Sequence, residues 1–247
     1  MKKIITTLVL LMASSGAFAA PTWMVYEVAV SPANQATVAA ATQKFMASKT
    51  GKAMPGSLHL NGIIANGASP ATHSFALLFP SMASLMNWQA SMAGNADFAA
   101  FMGSLTPVSQ PVSEYINSFG ANWGTASNDD RLWQLTRFRT TDPMAVVAAQ
   151  NKLMSDPSMK DFPGQIGLSA TGVGNRSGMN NDSSSHIFSV GFESVEEMES
   201  WGSYLQTQPA WGEYLRSLQG VVEWQGTELL RNLMVFDSSL DLEAFVD

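Results

Sequence analysis

The chain has 247 residues, of which 46% are apolar, and it contains no cysteine. This composition is typical of a folded globular protein, and it excludes disulfide frameworks, thiolate metal sites and cysteine nucleophiles. Because the 20 acidic residues outnumber the 13 basic ones and there is no run of lysine or arginine, we expect no nucleic-acid partner.

The first 19 residues have the pattern of a secretory signal peptide. Lys2 and Lys3 precede an apolar stretch at 4–12, and small residues lead to an Ala-Phe-Ala cleavage site at 17–19. We therefore expect cleavage after Ala19 and a periplasmic or secreted mature protein. The apolar stretch is shorter than the roughly 20 residues that span a bilayer, and no later segment is apolar over that length, so no membrane span is expected.

The first half of the remaining chain predicts the order β-α-β-β-α-β from alternating and helical apolar periodicities. In chain order these elements are a strand at 23–30, a helix that Ser31 and Pro32 begin and that ends near Gly51, strands at 56–64 and 73–79, a helix with Met82, Leu85, Trp88 and Met92 on one face, a helical turn at 97–105, and a strand at 114–119.

The second half predicts the same order. Its elements are a strand at 133–139, a helix that Asp142 and Pro143 begin and Pro157 ends, strands at 164–171 and 186–192, a helix opened by a capping box of Ser194 and Glu197, a helical turn at 210–218, and a strand at 227–236. A duplicated unit is therefore expected.

Direct comparison of the two halves supports the duplication. Trp23 aligns with Trp133 at an offset of 110, and the offset becomes 113 further along the chain. Seven identities occur in the 34 aligned pairs that start at Thr72, where chance would supply about two at average residue usage. The sequence thus predicts a signal peptide at 1–19, a first unit at 20–124, a linker at 125–130, a second unit at 131–237 and an acidic tail at 238–247.

The order β-α-β-β-α-β is the ferredoxin-like pattern. Its sheet carries helices on one face only, so the other face must be buried elsewhere. Two units in one chain can bury these bare faces against each other. We therefore expect an α+β fold in which two tandem ferredoxin-like units pack sheet to sheet as an intramolecular α+β barrel.

The chain resembles the dimeric α+β barrel superfamily, and more specifically domains of the antibiotic-biosynthesis-monooxygenase type. The residues that carry the resemblance are His73, Phe75, Phe79, Ser81 and Trp88, which recur as His186, Phe188, Phe192, Ser194 and Trp201. The resemblance implies one of several activities: cofactor-free oxygenation of aromatic substrates, haem degradation, haem peroxidase chemistry, or none that is known.

Strand periodicity predicts which polar residues face the space between the two sheets. Glu27 and Arg137 occupy equivalent positions with opposite charge, and His59 and Asn61 share a face of the next strand. We expect these residues and Arg139 to form the site, with Glu27, His59 and Arg137 as candidate catalytic groups. The alternative is that Glu27 and Arg137 are a structural ion pair or reach solvent at the rim.

Two further pairs of equivalent residues are candidate ligand contacts. Trp23 and Trp133 share the strand face of Glu27 and Arg137, so they could wall a ligand pocket or pack in the core. His73 and His186 are the repeated histidines, which suggests haem or a metal. Neither has a second ligand at metal spacing on its strand, so no metal site is predicted, and capping of the adjacent hairpin is the alternative.

Three functions stay open on the sequence alone, and whether the protein is an enzyme is not decided. The first is binding of a small apolar or aromatic molecule between the sheets, with cofactor-free monooxygenase-like chemistry. The second is a non-catalytic periplasmic structural or interaction module, in which the barrel is filled by its own side chains and Trp211, Tyr214 and Trp224 form an exposed patch. The third is haem binding, with haem as the one cofactor considered. Association of two copies through their outer edges is also left open.

Overall fold

A computed structural model describes residues 20–125, 127, 129–175 and 184–237. The predicted signal peptide, the predicted acidic tail and residues 126 and 128 of the predicted linker lie outside these ranges. The strands are β1 (Thr22–Val30), β2 (Ser57–Ala65), β3 (His73–Phe79), β4 (Ser109–Gly124), β5 (Leu132–Thr140), β6 (Gln165–Asn175), β7 (His186–Phe192) and β8 (Val222–Asp237). The helices are α1 (Gln35–Ala47), α2 (Lys49–Lys52), α3 (Met82–Ser91), α4 (Ala96–Leu105), α5 (Pro143–Met154), α6 (Val195–Gln206) and α7 (Pro209–Ser217).

The strands of the described residues close into one antiparallel barrel. Their order around the barrel is β1-β3-β2-β8-β5-β7-β6-β4. Each unit supplies four neighbouring strands, and the two units join at the β2–β8 and β4–β6 ladders. This arrangement confirms the expected α+β fold with two ferredoxin-like units in an intramolecular barrel.

The last strand of each unit is much longer than its apolar pattern predicts. β4 runs over 109–124 where 114–119 is expected, and β8 runs over 222–237 where 227–236 is expected. The extra length has a physical cause, because each strand pairs with its own unit at one end and with the other unit at its other end. β4 contacts β1 through residues 109–118 and β6 through residues 114–124.

Helix starts agree with the sequence in the second unit and differ in the first. Asp142 Oδ1 accepts a hydrogen bond from the Ala145 amide at 3.0 Å, and Ser194 Oγ accepts one from the Glu197 amide at 3.1 Å, as N-caps do. Ser31 makes no such bond, because Pro32–Asn34 forms a 3₁₀ turn and α1 begins only at Gln35.

Strand alternation divides the apolar residues among three cores. One core lies between the first unit's strands and helices and includes Met24, Phe45 and Leu85. The equivalent core of the second unit includes Phe138 and Val146. The third core fills the barrel itself and consists of Trp23, Val25, Ala76, Tyr115, Leu135, Ile187 and Leu230. The barrel interior is therefore a packed layer between two sheet–helix layers.

Equivalent glycines precede β2 and β6. A Cβ atom on Gly56 would lie 2.2 Å from the Leu78 carbonyl oxygen, and one on Gly164 would lie 2.0 Å from the Gly191 carbonyl oxygen. These separations are far below van der Waals contact, so both positions require the absence of a side chain.

Within the described ranges, none of the helices is both long enough and apolar enough to cross a membrane.

Candidate functional sites in the barrel and beneath the helices

The barrel interior brings the predicted charged pair together. Alternation along β1 and β5 directs Glu27 and Arg137 inward, where they are 1% and 4% exposed. Arg137 Nη2 lies 3.6 Å from Glu27 Oε1. The structure thus places both side chains inside the barrel and not at its rim.

Two residues that the sequence did not suggest complete this cluster. Arg137 Nη2 donates to Glu228 Oε2 at 3.0 Å and to the Tyr115 hydroxyl at 2.7 Å. The Tyr115 hydroxyl donates to Glu27 Oε1 at 3.3 Å, and Ser113 Oγ donates to Glu27 Oε2 at 2.7 Å. We refer to Glu27, Tyr115, Arg137 and Glu228 as the barrel cluster.

The barrel cluster consists of two pairs of equivalent positions. Tyr115 lies opposite Val25 in the β1–β4 ladder, and Glu228 lies opposite Leu135 in the β5–β8 ladder. Tyr115 and Glu228 are 113 residues apart, which is the repeat offset of this part of the chain. Extending the repeat alignment to the last strands would therefore have identified them as equivalent polar positions. Two of the four positions thus carry acid, one carries a base and one a phenol.

Electrostatic attraction keeps Arg137 charged despite its depth. Burial lowers the pKa of a guanidinium, but the Coulombic attraction of Tyr115, Glu228 and Glu27 outweighs it and raises the pKa of Arg137 above its ordinary value. The Arg137 Nε atom is buried without a hydrogen-bond partner. The Arg137 guanidinium therefore stays protonated and cannot act as a general acid.

A cavity of about 120 Å³ adjoins the barrel cluster. Its wall includes the predicted residues Trp23, Trp133, His59 and Asn61. The Trp23 Nε1 donates to Ser169 Oγ at 3.1 Å, while Ser57 Oγ and His59 Nε2 lie 3.3 Å apart. Six predicted residues, Glu27, Arg137, Trp23, Trp133, His59 and Asn61, are thus brought together inside the barrel.

Arg139 lies apart from this group. Its guanidinium forms an ion pair with Glu223, and both side chains are about half exposed. Arg139 lies near the end of β5, where it pairs with Glu223 in the β5–β8 ladder. We therefore do not include Arg139 in the site.

The two repeated histidines also lie away from the barrel interior. His73 and His186 are on the helix side of β3 and β7, because their neighbours Ser74 and Ile187 face inward. Each histidine is within hydrogen-bond distance of the hydroxyl of the preceding residue. His73 Nδ1 lies 2.9 Å from Thr72 Oγ1, and His186 Nδ1 lies 2.8 Å from Ser185 Oγ. Burial lowers the pKa of both rings, which favours the neutral imidazole.

These positions do not fit the role of an axial haem ligand. Neither His73 nor His186 lines the barrel cavity or the two cavities beneath the helices that are described below. Within the same residues, no group of three or more histidine, aspartate and glutamate side chains is placed to hold a metal ion. The hydrogen bonds to Thr72 and Ser185 instead match the hairpin-capping alternative.

A larger cavity of about 740 Å³ lies between the sheet and the helices of the first unit. We call it the helix-side cavity. Its wall is mostly apolar and comes from β1, β2, β3, β4, α1, α3 and α4. It includes Met24, Met54, Met92 and Met102 and the aromatic residues Tyr26, Phe45, Phe75, Trp88, Phe98 and Phe101. The sequence analysis did not identify it, because the same residues are those expected of a helix-packed core.

The wall also contains polar residues besides Tyr26, namely Glu27, Gln89, Thr106, Ser109, Ser113 and Glu114. Gln89 Nε2 on α3 lies 3.4 Å from the Tyr26 hydroxyl on β1. Burial, with a further contribution from the nearby Glu114, raises the pKa of Tyr26 to about 12. Tyr26 is therefore protonated at neutral pH, and its hydroxyl forms hydrogen bonds with the side chains of Gln89 and Glu114. An oxygen atom of a bound molecule would compete with Glu114 for its proton.

The aromatic rings of the wall are arranged for stacking. Phe45 and Phe101 are stacked with their centroids 4.8 Å apart, and Phe75 meets Phe101 edge to face at 6.2 Å. Methionine side chains adjust their shape readily and contact ring edges favourably. The wall can thus accept a flat aromatic molecule.

The equivalent cavity of the second unit is smaller, about 380 Å³. Met24 and Tyr26 of the first unit correspond there to Gln134 and Thr136, which also line the wall. Thr136 Oγ1 is 3.2 Å from Thr227 Oγ1. The two units have therefore diverged at the positions that define the pocket.

The aromatic surface patch expected of an interaction module does not form. Tyr214 is only 8% exposed, and Trp211 stacks on it with a centroid separation of 5.3 Å. Trp224 is 48% exposed, but its ring also contacts Phe138. Of these three side chains, Tyr214 is buried, Trp211 is partly buried and Trp224 is about half exposed.

No protein-family model matches the chain, and no curated protein matches it. Solved structures do. A protein from Fusobacterium nucleatum subsp. nucleatum superposes with a TM-score of 0.61 at 10% identity, over 90% of this chain and 96% of the other. One from Lactobacillus acidophilus superposes with a TM-score of 0.59 at 13% identity, over 89% and 97%. Both are titled "putative monooxygenase".

A third structure, of an anthrone oxidase-like protein, has a TM-score of 0.58 at 12% identity and covers 90% of this chain and 95% of its own. Because these alignments span both units and nearly the whole of each solved chain, the likeness extends to the complete barrel. The chain therefore has the dimeric α+β barrel fold, with both halves of the barrel in one polypeptide.

Proposed function

We propose that the protein binds a flat aromatic molecule bearing an oxygen substituent in the helix-side cavity. The observation that carries this proposal is the cavity of about 740 Å³, which is lined by aromatic and methionine side chains and has the Tyr26 hydroxyl in its wall. Ligand sites typically have 300–1,000 Å³, a mostly apolar wall and few polar groups. The barrel cavity, at about 120 Å³, is too small for such a ligand.

The reaction that we propose for this ligand is oxygenation by dioxygen without a cofactor. Support comes from three structures of the same fold, of which two are named "putative monooxygenase" and one "anthrone oxidase-like protein". A methylene group activated by flanking aromatic rings can itself supply the four electrons that reduce dioxygen, since R₂CH₂ + O₂ gives R₂C=O + H₂O. In this proposal Tyr26 orients the ligand by a hydrogen bond to its oxygen, and the apolar wall keeps water from the reacting carbon.

The proposal includes export of the mature protein. It rests on the signal-peptide pattern at 1–19, with its two lysines, short apolar stretch and Ala-Phe-Ala site.

Binding can be tested by titrating the mature protein with anthrone or 1-naphthol and following tryptophan fluorescence. Trp88 lines the cavity, so its quenching should disappear in Trp88→Phe while affinity measured by calorimetry is kept. Tyr26→Phe should weaken binding about tenfold, the value of one buried hydrogen bond. Thr136→Val, at the equivalent position of the second unit, is the matched control and should leave affinity unchanged.

Oxygenation can be tested by dioxygen uptake with anthrone, with one O₂ consumed for each ketone formed. Ligand affinity that is the same in Tyr26→Phe, with quenching retained in Trp88→Phe, would place the ligand elsewhere. Tight binding without dioxygen uptake would leave a binding protein and remove the proposed reaction.

A further inference from the structure

A polar side chain is buried at the same place in the first long helix of each unit. The helices α1 and α5 align at an offset of 108, which pairs Thr42 with Gln150. Identical residues of this alignment include Val38, Lys44 and Met46, which recur as Val146, Lys152 and Met154. Thr42 is 0% exposed and Gln150 is 2% exposed.

The two buried side chains differ in their hydrogen bonds. Thr42 Oγ1 donates to the Val38 carbonyl oxygen of its own helix at 2.8 Å. Gln150 lies on the wall of the cavity of about 380 Å³ in the second unit, which we call the second-unit cavity. Its side-chain amide forms no hydrogen bond with any of the described residues. A buried amide is unfavourable unless a hydrogen bond meets it, so the Gln150 amide is available to a molecule in this cavity.

The two units also differ on the helix that follows their third strand. In the first unit, Gln89 Nε2 on α3 lies 3.4 Å from the Tyr26 hydroxyl. The equivalent positions hold Gly202 and Thr136, which both line the second-unit cavity. A Cβ atom on Gly202 would meet nothing within 4 Å, so the glycine leaves room there. The second unit has thus lost the amide of this helix and gained one on α5.

The wall of the second-unit cavity is uncharged. None of the described residues that line it is acidic, basic or a histidine. Burial raises the pKa of Tyr214, so its phenol also stays neutral. The polar residues of the wall are Gln134, Thr136, Gln150, Tyr214 and Thr227, beside the indoles of Trp201, Trp211 and Trp224. A charged ligand would lose its hydration there without meeting a counter-charge, so the wall favours a neutral molecule.

Aromatic rings form much of the same wall. The rings of Phe162 and Trp201 have their centroids 5.4 Å apart, and Phe188 and Trp224 also line the cavity. Aromatic rings attract one another in stacked and edge-to-face arrangements beyond the effect of burial alone. The cavity therefore favours a ligand with a flat ring.

We propose that the second-unit cavity binds a small uncharged aromatic carboxamide, whose amide group pairs with that of Gln150. Each carboxamide offers a donor and an acceptor side by side, so two of them can form two parallel hydrogen bonds. A volume of about 380 Å³ lies within the usual range of small-molecule sites. Among the described residues, this cavity shares no wall residue with the helix-side cavity or the barrel cavity, and the inference does not depend on the function proposed above.

Calorimetry at pH 7 with benzamide, acetophenone and benzoate tests the inference, since these molecules match in ring and size. Acetophenone keeps the carbonyl group but lacks the N–H donor, and benzoate has a negative charge. We expect benzamide to bind at least about tenfold more tightly than acetophenone, because only benzamide satisfies both polar atoms of the Gln150 amide. Benzoate should bind most weakly. Equal affinities for benzamide and acetophenone would overturn the inference, and so would tightest binding of benzoate.

Three variants show whether Gln150 is responsible. Gln150→Met keeps the length of the side chain and should abolish the preference for benzamide, without lowering the melting temperature, because no hydrogen bond to a described residue is lost. Gln134→Met on the same wall and Thr42→Val at the equivalent position of the first unit are the controls, and both should keep the preference. A preference that survives in Gln150→Met, or that Gln134→Met abolishes, would contradict the inference.

A cavity-filling variant keeps the test decisive if Gln150→Met folds poorly. Gly202→Leu introduces a side chain where Gln89 lines the helix-side cavity of the first unit, and its Cβ meets no neighbour. We expect it to lose binding of both benzamide and acetophenone, with binding of anthrone in the helix-side cavity retained. Undiminished benzamide binding in Gly202→Leu would place the carboxamide site outside the second-unit cavity.

Discussion

Glu27 and Arg137 stand at equivalent positions of the two repeats and meet each other inside the barrel, with Arg137 Nη2 3.6 Å from Glu27 Oε1. The pair is buried, and Arg137 is shared with Glu228 at 3.0 Å. Because these groups are buried, Glu27 and Glu228 depend on the guanidinium of Arg137 for charge compensation. The stability of the barrel should therefore respond sharply to loss of Arg137.

Replacement of Arg137 by methionine should destabilise the protein by about 3–5 kcal/mol, because it leaves two buried carboxylates without their guanidinium. Urea unfolding followed by circular dichroism measures the change. Arg139→Met is the matched control on the same strand and should cost less than about 1 kcal/mol, since its pair with Glu223 is exposed. A similar loss of unfolding free energy in the two variants would show that the buried ion pairs of Arg137 stabilise the protein no more than the exposed pair of Arg139.

Alanine at Gly56 or Gly164 should be destabilising by about 2–3 kcal/mol, because the new Cβ would meet a backbone carbonyl oxygen at 2.2 Å or 2.0 Å. Gly103 in α4 is the control, since a Cβ there meets nothing within 4 Å. Gly103→Ala should stabilise the protein by about 0.5–1 kcal/mol through the gain in helix propensity. Thermal unfolding measures the result: the melting temperature should fall in Gly56→Ala and Gly164→Ala and rise in Gly103→Ala.

Asp130 should make stability fall as the pH rises through the weakly acidic range. Burial, and then the negative charges of Glu197 and Glu193, raise the pKa of Asp130 to about 6 from 3.8. The folded state therefore holds this proton more tightly than the unfolded state, so the contribution is complete below pH 3.8 and is lost as pH passes 6.

Asp130→Asn should therefore stabilise the protein by about 2 kcal/mol at pH 7 and make little difference at pH 3.5. Unfolding free energies measured at several pH values between 3.5 and 7 give the difference directly. Asp161→Asn, at an exposed position of the same unit, controls for the change in net charge. A constant difference between Asp130→Asn and the parent across this range would contradict the expectation.

The signal-peptide prediction has a direct test. Full-length protein expressed in a bacterial host should appear in the periplasmic fraction with a mass that lacks residues 1–19 and an N-terminus at Ala20. Ala19→Pro should block cleavage and leave the precursor associated with the membrane. A full-length, cytoplasmic product of the parent sequence would show that this segment is not a signal.

Local patterns in the sequence predict most of the architecture. Period-two alternation identifies the inward faces of β1 and β5, and with them Glu27 and Arg137, because alternation depends only on neighbouring residues. The ends of β4 and β8 are not predictable in this way. The additional residues at the start of β4 pair with β1, those at the start of β8 pair with β5, and those at the end of β4 pair with β6 of the other unit; all of these partners are distant in the sequence.

The helix-side cavity illustrates a second limit. Phe45, Trp88 and Phe101 have the spacing of buried helix residues, and that spacing is the same whether the helices close on the sheet or stand away from it. Only the distance between the layers distinguishes a core from a pocket. The four methionines of the wall were the available signal, since methionine is common where a surface must adapt to a ligand.

Joining both halves of the barrel in one polypeptide has an evolutionary consequence. In an assembly of two identical chains, symmetry places the same residue at both equivalent positions, so a glutamate at the position of Glu27 would face a second glutamate. A tandem chain is free of this constraint. It can set an arginine against the glutamate at the centre, and it can enlarge the pocket of one half to about 740 Å³ while the other stays near 380 Å³. The duplication thus allows one half to specialise while the other conserves the scaffold.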